Sequence, residues 1–287
     1  MGNFLCCSSS PTNLSHDEEC GNEAEVINFT VKELNEYTDE FNRKKIVGHG
    51  DFGPVYRGTI KARQERHLNC LDVAVKHSHT KDDRSAILWK AEVEYLPRVV
   101  HKNIIKLIGY CETEERFYLV YPFMPNGTVL TKLQDLKWSR ILKIIKGIAS
   151  GIQKLHSHHP PLIHGNISLN NILLDKDFTP KLGDFGTVTP QGKQSQADDI
   201  YNLGVMILQI IMKEENASLP GVSIRYHICD RARSIFEERG HAVHQNIGNS
   251  GTACSKRTIT KLGLDCVNHD SSLRPNIAQV LQILANL

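Results

Sequence analysis

The fold is decided by the stretch Ile163-His164-Gly165-Asn166-Ile167-Ser168-Leu169-Asn170-Asn171-Ile172-Leu173-Leu174 and by Gly183-Asp184-Phe185-Gly186, which follows it. The first stretch has the frame of the pattern HRDLxxxN, and the second contains the tripeptide DFG. The two patterns stand in the order and at the spacing that a combined signature requires. They therefore indicate one chemical site, and the segments before them carry further parts of the same signature.

Three further elements precede this stretch in the chain. The segment Gly48-His49-Gly50-Asp51-Phe52-Gly53-Pro54-Val55 matches GxGxxGxV between two apparent strands. This motif is weak alone, because a glycine-rich hairpin turn explains it about as well. Lys76 follows Val55 by 21 residues and ends the strand-like run Val73-Ala74-Val75-Lys76, where a lysine can pair with phosphates. Glu92 lies in a helical stretch and is expected to pair with Lys76. Five elements in order are a strong signal.

With these elements, the chain resembles the eukaryotic protein kinases over roughly residues 45–287. More closely, it is similar to plant receptor-like cytoplasmic kinases. The closer resemblance rests on Phe29-Thr30-Val31-Lys32-Glu33-Leu34, Ala91-Glu92-Val93-Glu94-Tyr95-Leu96, Lys106-Leu107-Ile108-Gly109-Tyr110-Cys111, Asp199-Ile200-Tyr201-Asn202-Leu203-Gly204-Val205 and Arg274-Pro275. It implies an α+β, bilobal protein-kinase-like fold with a small antiparallel β lobe, one regulatory helix and a large helical lobe.

The resemblance divides the chain into a tether and a kinase-like domain. Residues 8–27 are rich in Ser, Asn, Asp and Glu and have no apolar period, so residues 1–27 are predicted to be a flexible N-terminal tether. The domain is expected over residues 28–287, with a small lobe at about 28–121 and a large lobe at about 122–287.

Local patterns predict two of the helices. Thr30 and Glu33 are spaced as a capping box, which predicts a helix to about Tyr37. Apolar residues recur at helical spacing between Trp138 and Leu155, which predicts a long amphipathic helix. The tract His156-Ser157-His158-His159 resembles a metal-binding sequence, but it is expected to be the solvated end of this helix.

The resemblance also implies an ATP site between the lobes. Its phosphate side would consist of Gly48, Gly50, Gly53, Lys76 and Glu92, and its adenine side of Val55, Ala74 and Leu173. Asn171 and Asp184 would give oxygen ligands to a Mg²⁺ ion that bridges the phosphates. A buried column linking the lobes is expected from Leu96, Leu107, His164, Phe185 and Asp199, and Tyr121 falls at the gatekeeper position.

The sequence departs from the family at three positions of the catalytic loop. Gly165, Asn166 and Ser168 stand where the family has an Arg, an Asp that acts as base and a Lys. An Asn amide can accept a hydrogen bond from a hydroxyl but cannot take its proton, and the loss of a general base costs roughly 10²–10⁴ in rate. Ser168 carries no charge to stabilise the transferring phosphoryl group.

A fourth departure is the length of the activation segment. Only twelve residues, Thr187 to Asp198, separate Gly186 from Asp199. The family has several times that length there, ending in an APE-like segment that docks the peptide substrate. Nothing that resembles APE is present. Together the departures predict a pseudokinase.

The N-terminus carries a pattern for lipid attachment. Gly2 follows a removable Met and is a candidate for N-myristoylation, although Cys6 stands where the usual pattern has Ser or Thr. One acyl chain holds a protein only marginally at a bilayer, and Cys6 and Cys7 would add palmitoyl chains. Dual acylation is expected to place the chain at the cytoplasmic face of the plasma membrane. The alternative is a frayed tail with two idle thiols.

Composition excludes several classes of protein. The formal net charge is +2, which argues against a general nucleic-acid-binding protein. No apolar run reaches about 18 residues, so no membrane-spanning helix is expected. Eight cysteines without a CxxC pair or a secretory signal indicate free thiols in a reducing compartment.

The sequence leaves three functions open. The first is a membrane-anchored, ATP-binding pseudokinase that acts as adaptor, decoy or allosteric partner of an active receptor-like kinase or immune receptor in plants. The second is a weakly active Ser/Thr kinase. The third is an interaction module that binds no nucleotide.

Overall fold

A computed structural model describes residues 26–61, 70–214, 224–247 and 251–287. The small lobe is built on a six-stranded sheet with the order β1-β5-β6-β4-β3-β2. Its strands are β1 (Ile27–Asn28), β2 (Ile46–His49), β3 (Pro54–Ile60), β4 (Leu71–His77), β5 (Gly109–Glu112) and β6 (Phe117–Pro122). The centre of this sheet carries the residues that face the large lobe.

Strand β1 departs from the antiparallel pairing that was predicted for the small lobe. It pairs in parallel with β5, whereas the other pairs of this sheet are antiparallel. The strand also includes Ile27, so the sheet begins one residue before the predicted start of the domain at residue 28. A strand of two residues is too short to show an alternating pattern, so it could not be predicted from the sequence.

Among the described residues, the small lobe contains the helices α1 (Val31–Thr38) and α2 (Asp83–Tyr95). The capping box of α1 is confirmed: the Glu33 backbone N–H donates to Thr30 Oγ1 at 3.3 Å, and the Thr30 backbone N–H donates to Glu33 Oε2 at 2.8 Å. Asp82 and Ser85 form a second capping box that begins α2. Helix α2 is the predicted regulatory helix, and it carries Glu92.

The large lobe is mostly helical, as predicted. Its helices are α3 (Val129–Lys132), α4 (Trp138–His156), α5 (Gln196–Met212), α6 (Ile224–Arg239), α7 (Ala253–Cys266) and α8 (Ile277–Ala285). Two small antiparallel sheets lie beside them: β7 (Leu162–Ile163) with β10 (Thr189–Pro190), and β8 (Ile172–Leu174) with β9 (Pro180–Leu182). These short strands position the stretch from Ile163 to Gly186 between the lobes.

Helices α4 and α5 form the centre of the large lobe. The predicted apolar stripe of α4 is buried, and α5 is buried around most of its circumference. Helices α5 and α7 cross closely, because a Cβ at Gly204 would lie 2.6 Å from Cys266 Cβ. In the described part of the chain, no helix combines the length and the apolarity that are needed to cross a membrane.

Candidate nucleotide site

Lys76 is the central cation of the site, as predicted. Its Nζ lies 3.8 Å from Glu92 Oε1 and 3.4 Å from Asp184 Oδ1, and its side chain is only 15% exposed. Strand β4 holds Lys76 in register opposite Val55 and Leu119. The lysine therefore joins the sheet, helix α2 and the DFG segment in one electrostatic group.

Glu92 is fixed by a contact that the sequence did not predict. The Tyr121 hydroxyl donates to Glu92 Oε2 at 2.8 Å, and both side chains are buried. Burial raises the pKa of Glu92, while Lys76 opposes this shift. Burial also raises the pKa of Tyr121 well above its usual value, with the Glu92 carboxylate as the second cause. The gatekeeper residue thus helps to hold helix α2 toward the sheet.

Asp184 has a partner for each of its carboxylate oxygens. Lys76 lies near Oδ1, and Asn166 Nδ2 donates to Oδ2 at 3.0 Å. Asn171 Nδ2 donates in turn to the Asn166 backbone carbonyl at 2.9 Å. The backbone of Asp184 is left-handed, with φ 62° and ψ 66°. This conformation directs the carboxylate toward Lys76 and the following Phe185 into the core.

The predicted metal-binding residues fit a Mg²⁺ ion by their chemistry. Asn171 uses its amide nitrogen for Asn166, so its side-chain oxygen remains as a ligand. The Asp184 side chain is 35% exposed and carries the anionic oxygens that Mg²⁺ prefers. Mg²⁺ would supply neutralisation of the phosphate charge.

Asp199 organises the backbone of the catalytic loop from below. Its Oδ2 accepts the His164 backbone N–H at 2.9 Å, and its Oδ1 accepts that of Gly165 at 2.8 Å. His156 Nε2 lies 3.0 Å from Oδ2. This last contact was not predicted: His156 is buried, whereas the tract from 156 to 159 was expected to be solvated. Within the described residues, no group of His, Cys, Asp and Glu is arranged to hold a metal.

The predicted column between the lobes is assembled. Leu96, Leu107, His164, Phe185 and Asp199 are all buried. The His164 and Phe185 rings meet edge to face at 5.1 Å, and His164 Nε2 lies 3.1 Å from the Gly183 carbonyl. Because His164 Nδ1 accepts the Asn166 N–H, Nε2 carries the proton and donates to Gly183. Burial lowers the pKa of His164, which favours this neutral form.

The residues predicted to surround adenine and phosphate lie in the small lobe and on β8. Val55, Ala74 and Leu173 are half-buried at the boundary of the lobes, unlike the fully buried core around them. A Cβ at Gly53 would lie 2.0 Å from the His77 carbonyl oxygen, so only glycine fits against β4 here. A Cβ at Gly48 or Gly50 would meet nothing within 4 Å, so these two positions have open space beside them, unlike Gly53.

The altered catalytic loop keeps its backbone shape. Gly165 adopts φ +76°, and the Gln194 side chain lies against the position of its missing Cβ, 2.6 Å from Oε1. Ser168 is half-buried, and its carbonyl accepts the Asn171 N–H at 3.0 Å. The loop therefore holds Asn166 and Asn171 in place without the Arg, Asp and Lys of the family.

The short activation segment is bonded along its length. Thr187 Oγ1 donates to the His164 carbonyl at 2.8 Å, β10 pairs with β7, and a capping box of Ser195 and Asp198 begins α5. Arg274 fastens the first turn of α5 by donating to the Ala197 carbonyl at 2.9 Å. No described element beyond β10 offers an extended platform for a peptide before α5 begins.

Comparisons with known proteins agree with this geometry. The family model described as protein tyrosine and serine/threonine kinase matches residues 41–204. The chain is 29% identical to a probable serine/threonine-protein kinase, PBL8, from Arabidopsis thaliana, over 92% of this chain and 73% of that protein. It is 28% identical to the EPD1-interacting receptor-like cytoplasmic serine/threonine-protein kinase 5D of Gossypium barbadense, over 90% of this chain and 64% of that protein.

A third relative belongs to a larger receptor. A probable leucine-rich repeat receptor-like protein kinase of Arabidopsis thaliana is 30% identical over 90% of this chain, but this covers only 30% of that protein. The shared part therefore corresponds to a portion of the receptor. The lipidation candidates Gly2, Cys6 and Cys7 lie outside the described residues.

Proposed function

Because the chain belongs to the protein tyrosine and serine/threonine kinase family, we propose that it binds ATP between its lobes and transfers phosphate slowly to Ser or Thr hydroxyls. The observation that carries this proposal is the group of Lys76, Glu92 and Asp184, with Lys76 within 4 Å of both carboxylates. The assembled column of buried residues supports the same arrangement. The names of the relatives favour a kinase over a catalytically silent adaptor.

The roles of the residues follow from their positions. Lys76 would neutralise phosphate oxygens, and Glu92, held by Tyr121, would keep the lysine in place. Asp184 and Asn171 would hold Mg²⁺ when the metal is bound, and the backbone of the loop from Gly48 to Gly53 would lie over the phosphates. Asn166 would orient the acceptor hydroxyl without removing its proton, so that proton must leave to solvent or phosphate. This step limits the proposed rate.

A second candidate is a nucleotide-dependent adaptor, decoy or allosteric partner of an active receptor-like kinase or immune receptor. It is favoured by the combination of Gly165, Asn166 and Ser168 with an activation segment of twelve residues. Base, charge and peptide platform are altered together, while the nucleotide side keeps its residues. The third candidate is an interaction module that binds no nucleotide. It does not explain why the residues of the nucleotide site are kept.

We further propose that the chain works at the cytoplasmic face of the plasma membrane. Gly2, Cys6 and Cys7 would carry the acyl chains. Two acyl chains anchor a protein stably to a bilayer, whereas one chain binds it only marginally. The expected partner is a receptor-like kinase or immune receptor, with no role for nucleic acid. The similarity to receptor-like cytoplasmic kinases supports this placement.

Radioactive phosphate transfer separates the first two candidates. Purified full-length chain is incubated with γ-³²P-ATP and Mg²⁺ or Mn²⁺, alone and with a generic Ser/Thr substrate protein, beside a Lys76→Ala control. Slow labelling that Lys76→Ala abolishes supports the kinase. Labelling at the level of the control supports the adaptor. A melting temperature that does not respond to millimolar ATP would leave only the nucleotide-free module.

A further inference from the structure

The carboxylate of Asp184 is satisfied by the protein itself. Lys76 Nζ lies 3.4 Å from Oδ1, and Asn166 Nδ2 lies 3.0 Å from Oδ2. In a kinase site this carboxylate is the principal protein ligand of Mg²⁺. Here an amide N–H group already donates to one of the two oxygens that the metal would use.

The orientation of the Asn166 amide follows from its neighbours. Its opposite orientation would bring the amide oxygen against the anionic Asp184 Oδ2, and two acceptors at 3.0 Å repel one another. The Asn166 backbone is held on both sides, since its N–H donates to His164 Nδ1 at 3.2 Å and its carbonyl accepts Asn171 Nδ2 at 2.9 Å. The donor is therefore preorganised toward Asp184.

The Asn at position 166 also makes the site less negatively charged than an Asp would. An Asp at position 166 would place a second carboxylate at hydrogen-bond distance from Asp184, and a divalent cation would relieve that repulsion. Asn166 removes this charge. Of the described carboxylates, those of Glu92 and Asp184 then lie within 4 Å of Lys76. Less positive charge from a metal ion is therefore needed to balance the carboxylates, and the incoming phosphates meet one negative charge fewer.

We propose that the Asn166 amide takes the place of Mg²⁺ in holding Asp184, so that this chain binds ATP with little dependence on a divalent metal. This inference rests on the proposed nucleotide binding and deepens it. Asn166 then contributes to nucleotide binding, although it stands where the family has a catalytic base. Lys76 and the backbone of the glycine loop supply the contacts to the phosphates.

Thermal unfolding of the full-length chain with ATP, in excess EDTA or in a Mg²⁺ titration, tests the inference by binding alone. For the wild-type chain, at least half of the rise in melting temperature seen with Mg²⁺ should persist in EDTA. Asn166→Asp should lose the rise in EDTA and recover it with Mg²⁺. Its half-saturating Mg²⁺ concentration should be about tenfold lower, the effect expected for one charge-assisted hydrogen bond.

Two further variants distinguish the effect of the lost amide donor from the effect of the added negative charge. Asn166→Ala removes the amide donor without adding a charge and should weaken the ATP response in EDTA. Asn170→Asp makes the same chemical change as Asn166→Asp at an exposed position of the same loop and should behave as wild type. A wild-type response that vanishes in EDTA, or equal Mg²⁺ titrations for wild type and Asn166→Asp, would overturn the inference alone. No response with or without Mg²⁺ would overturn the nucleotide proposal and the inference with it.

Discussion

Tyr121→Phe removes one hydroxyl group and leaves Glu92 buried beside Lys76. The hydroxyl donates to Glu92 Oε2 at 2.8 Å, and a hydrogen bond to a charged group contributes about 1.5–3 kcal/mol. Water cannot replace the lost hydrogen bond to the carboxylate, because Glu92 is only 2% exposed and Tyr121 only 7%. At about 2–4 °C per kcal/mol for a chain of this size, we expect the melting temperature to fall by about 3–12 °C.

The same substitution should depend on pH in a defined direction. Burial raises the pKa of Glu92 in the folded chain, so stability falls as pH rises from the unfolded pKa through the folded pKa. The Tyr121 hydroxyl opposes this fall because it stabilises the carboxylate. Without the hydroxyl the pKa of Glu92 rises further. The destabilisation by Tyr121→Phe should therefore be larger at about pH 8 than at about pH 5.5.

Thermal unfolding followed by circular dichroism at both pH values measures this effect. Tyr110→Phe is the matched control, since Tyr110 is half-buried on the neighbouring strand β5 and its ring packs edge-on against Trp89 at 5.5 Å. Its effect should stay within about 0.5 kcal/mol. Equal effects of the two substitutions, or a larger effect of Tyr121→Phe at the lower pH, would refute the assigned hydrogen bond.

Three other predictions follow from the site and the N-terminus. Lys76→Ala should abolish the stabilisation by ATP, which amounts to about 2.7 kcal/mol at 100 times the Kd, and an unchanged thermal shift would contradict the role of the lysine. Gly2→Ala should move the chain from the membrane to the soluble fraction of a cell lysate; retention at the membrane would show that something other than the acyl chain holds it. The double variant Asn166→Asp/Ser168→Lys should phosphorylate itself faster than the wild type, because it regains the base and the charge, but it should label added peptides no faster than the wild type, because positioning of the acceptor remains incomplete. Efficient labelling of such peptides in a filter-binding assay would argue against this account of the short activation segment.

The sequence predicted the site where several residues act together at fixed spacing. Lys76, Glu92, Asn171 and Asp184 belong to such a signature. The structure brings the three charged groups together, and Asn171 bonds to the backbone of Asn166, which in turn contacts Asp184. The capping box at Thr30 was predictable for a related reason, since its two partners lie three residues apart and bond locally.

The contacts that sequence reasoning missed join residues far apart in the chain. Tyr121 and Glu92 are 29 residues apart, and His156 and Asp199 are 43 apart. His156 ends helix α4 in a tract of polar residues, so the local pattern indicated solvent, whereas packing against α5 buries it. The contact of Asn166 with Asp184 could have been inferred, because an amide that replaces a carboxylate beside another carboxylate gains a partner.

The short activation segment also has a thermodynamic consequence. Its folded form is already held by the Thr187 hydroxyl, the β10–β7 pairing and the hydrogen bond from Arg274 to the Ala197 carbonyl at the start of α5. A long activation loop loses conformational entropy when a phosphate or a ligand orders it. The short segment of this chain has no such loss to offset, because it is ordered before any phosphate or ligand binds. A phosphate added to this segment would meet a segment that is already ordered, and we therefore expect phosphorylation of it to change the cleft little.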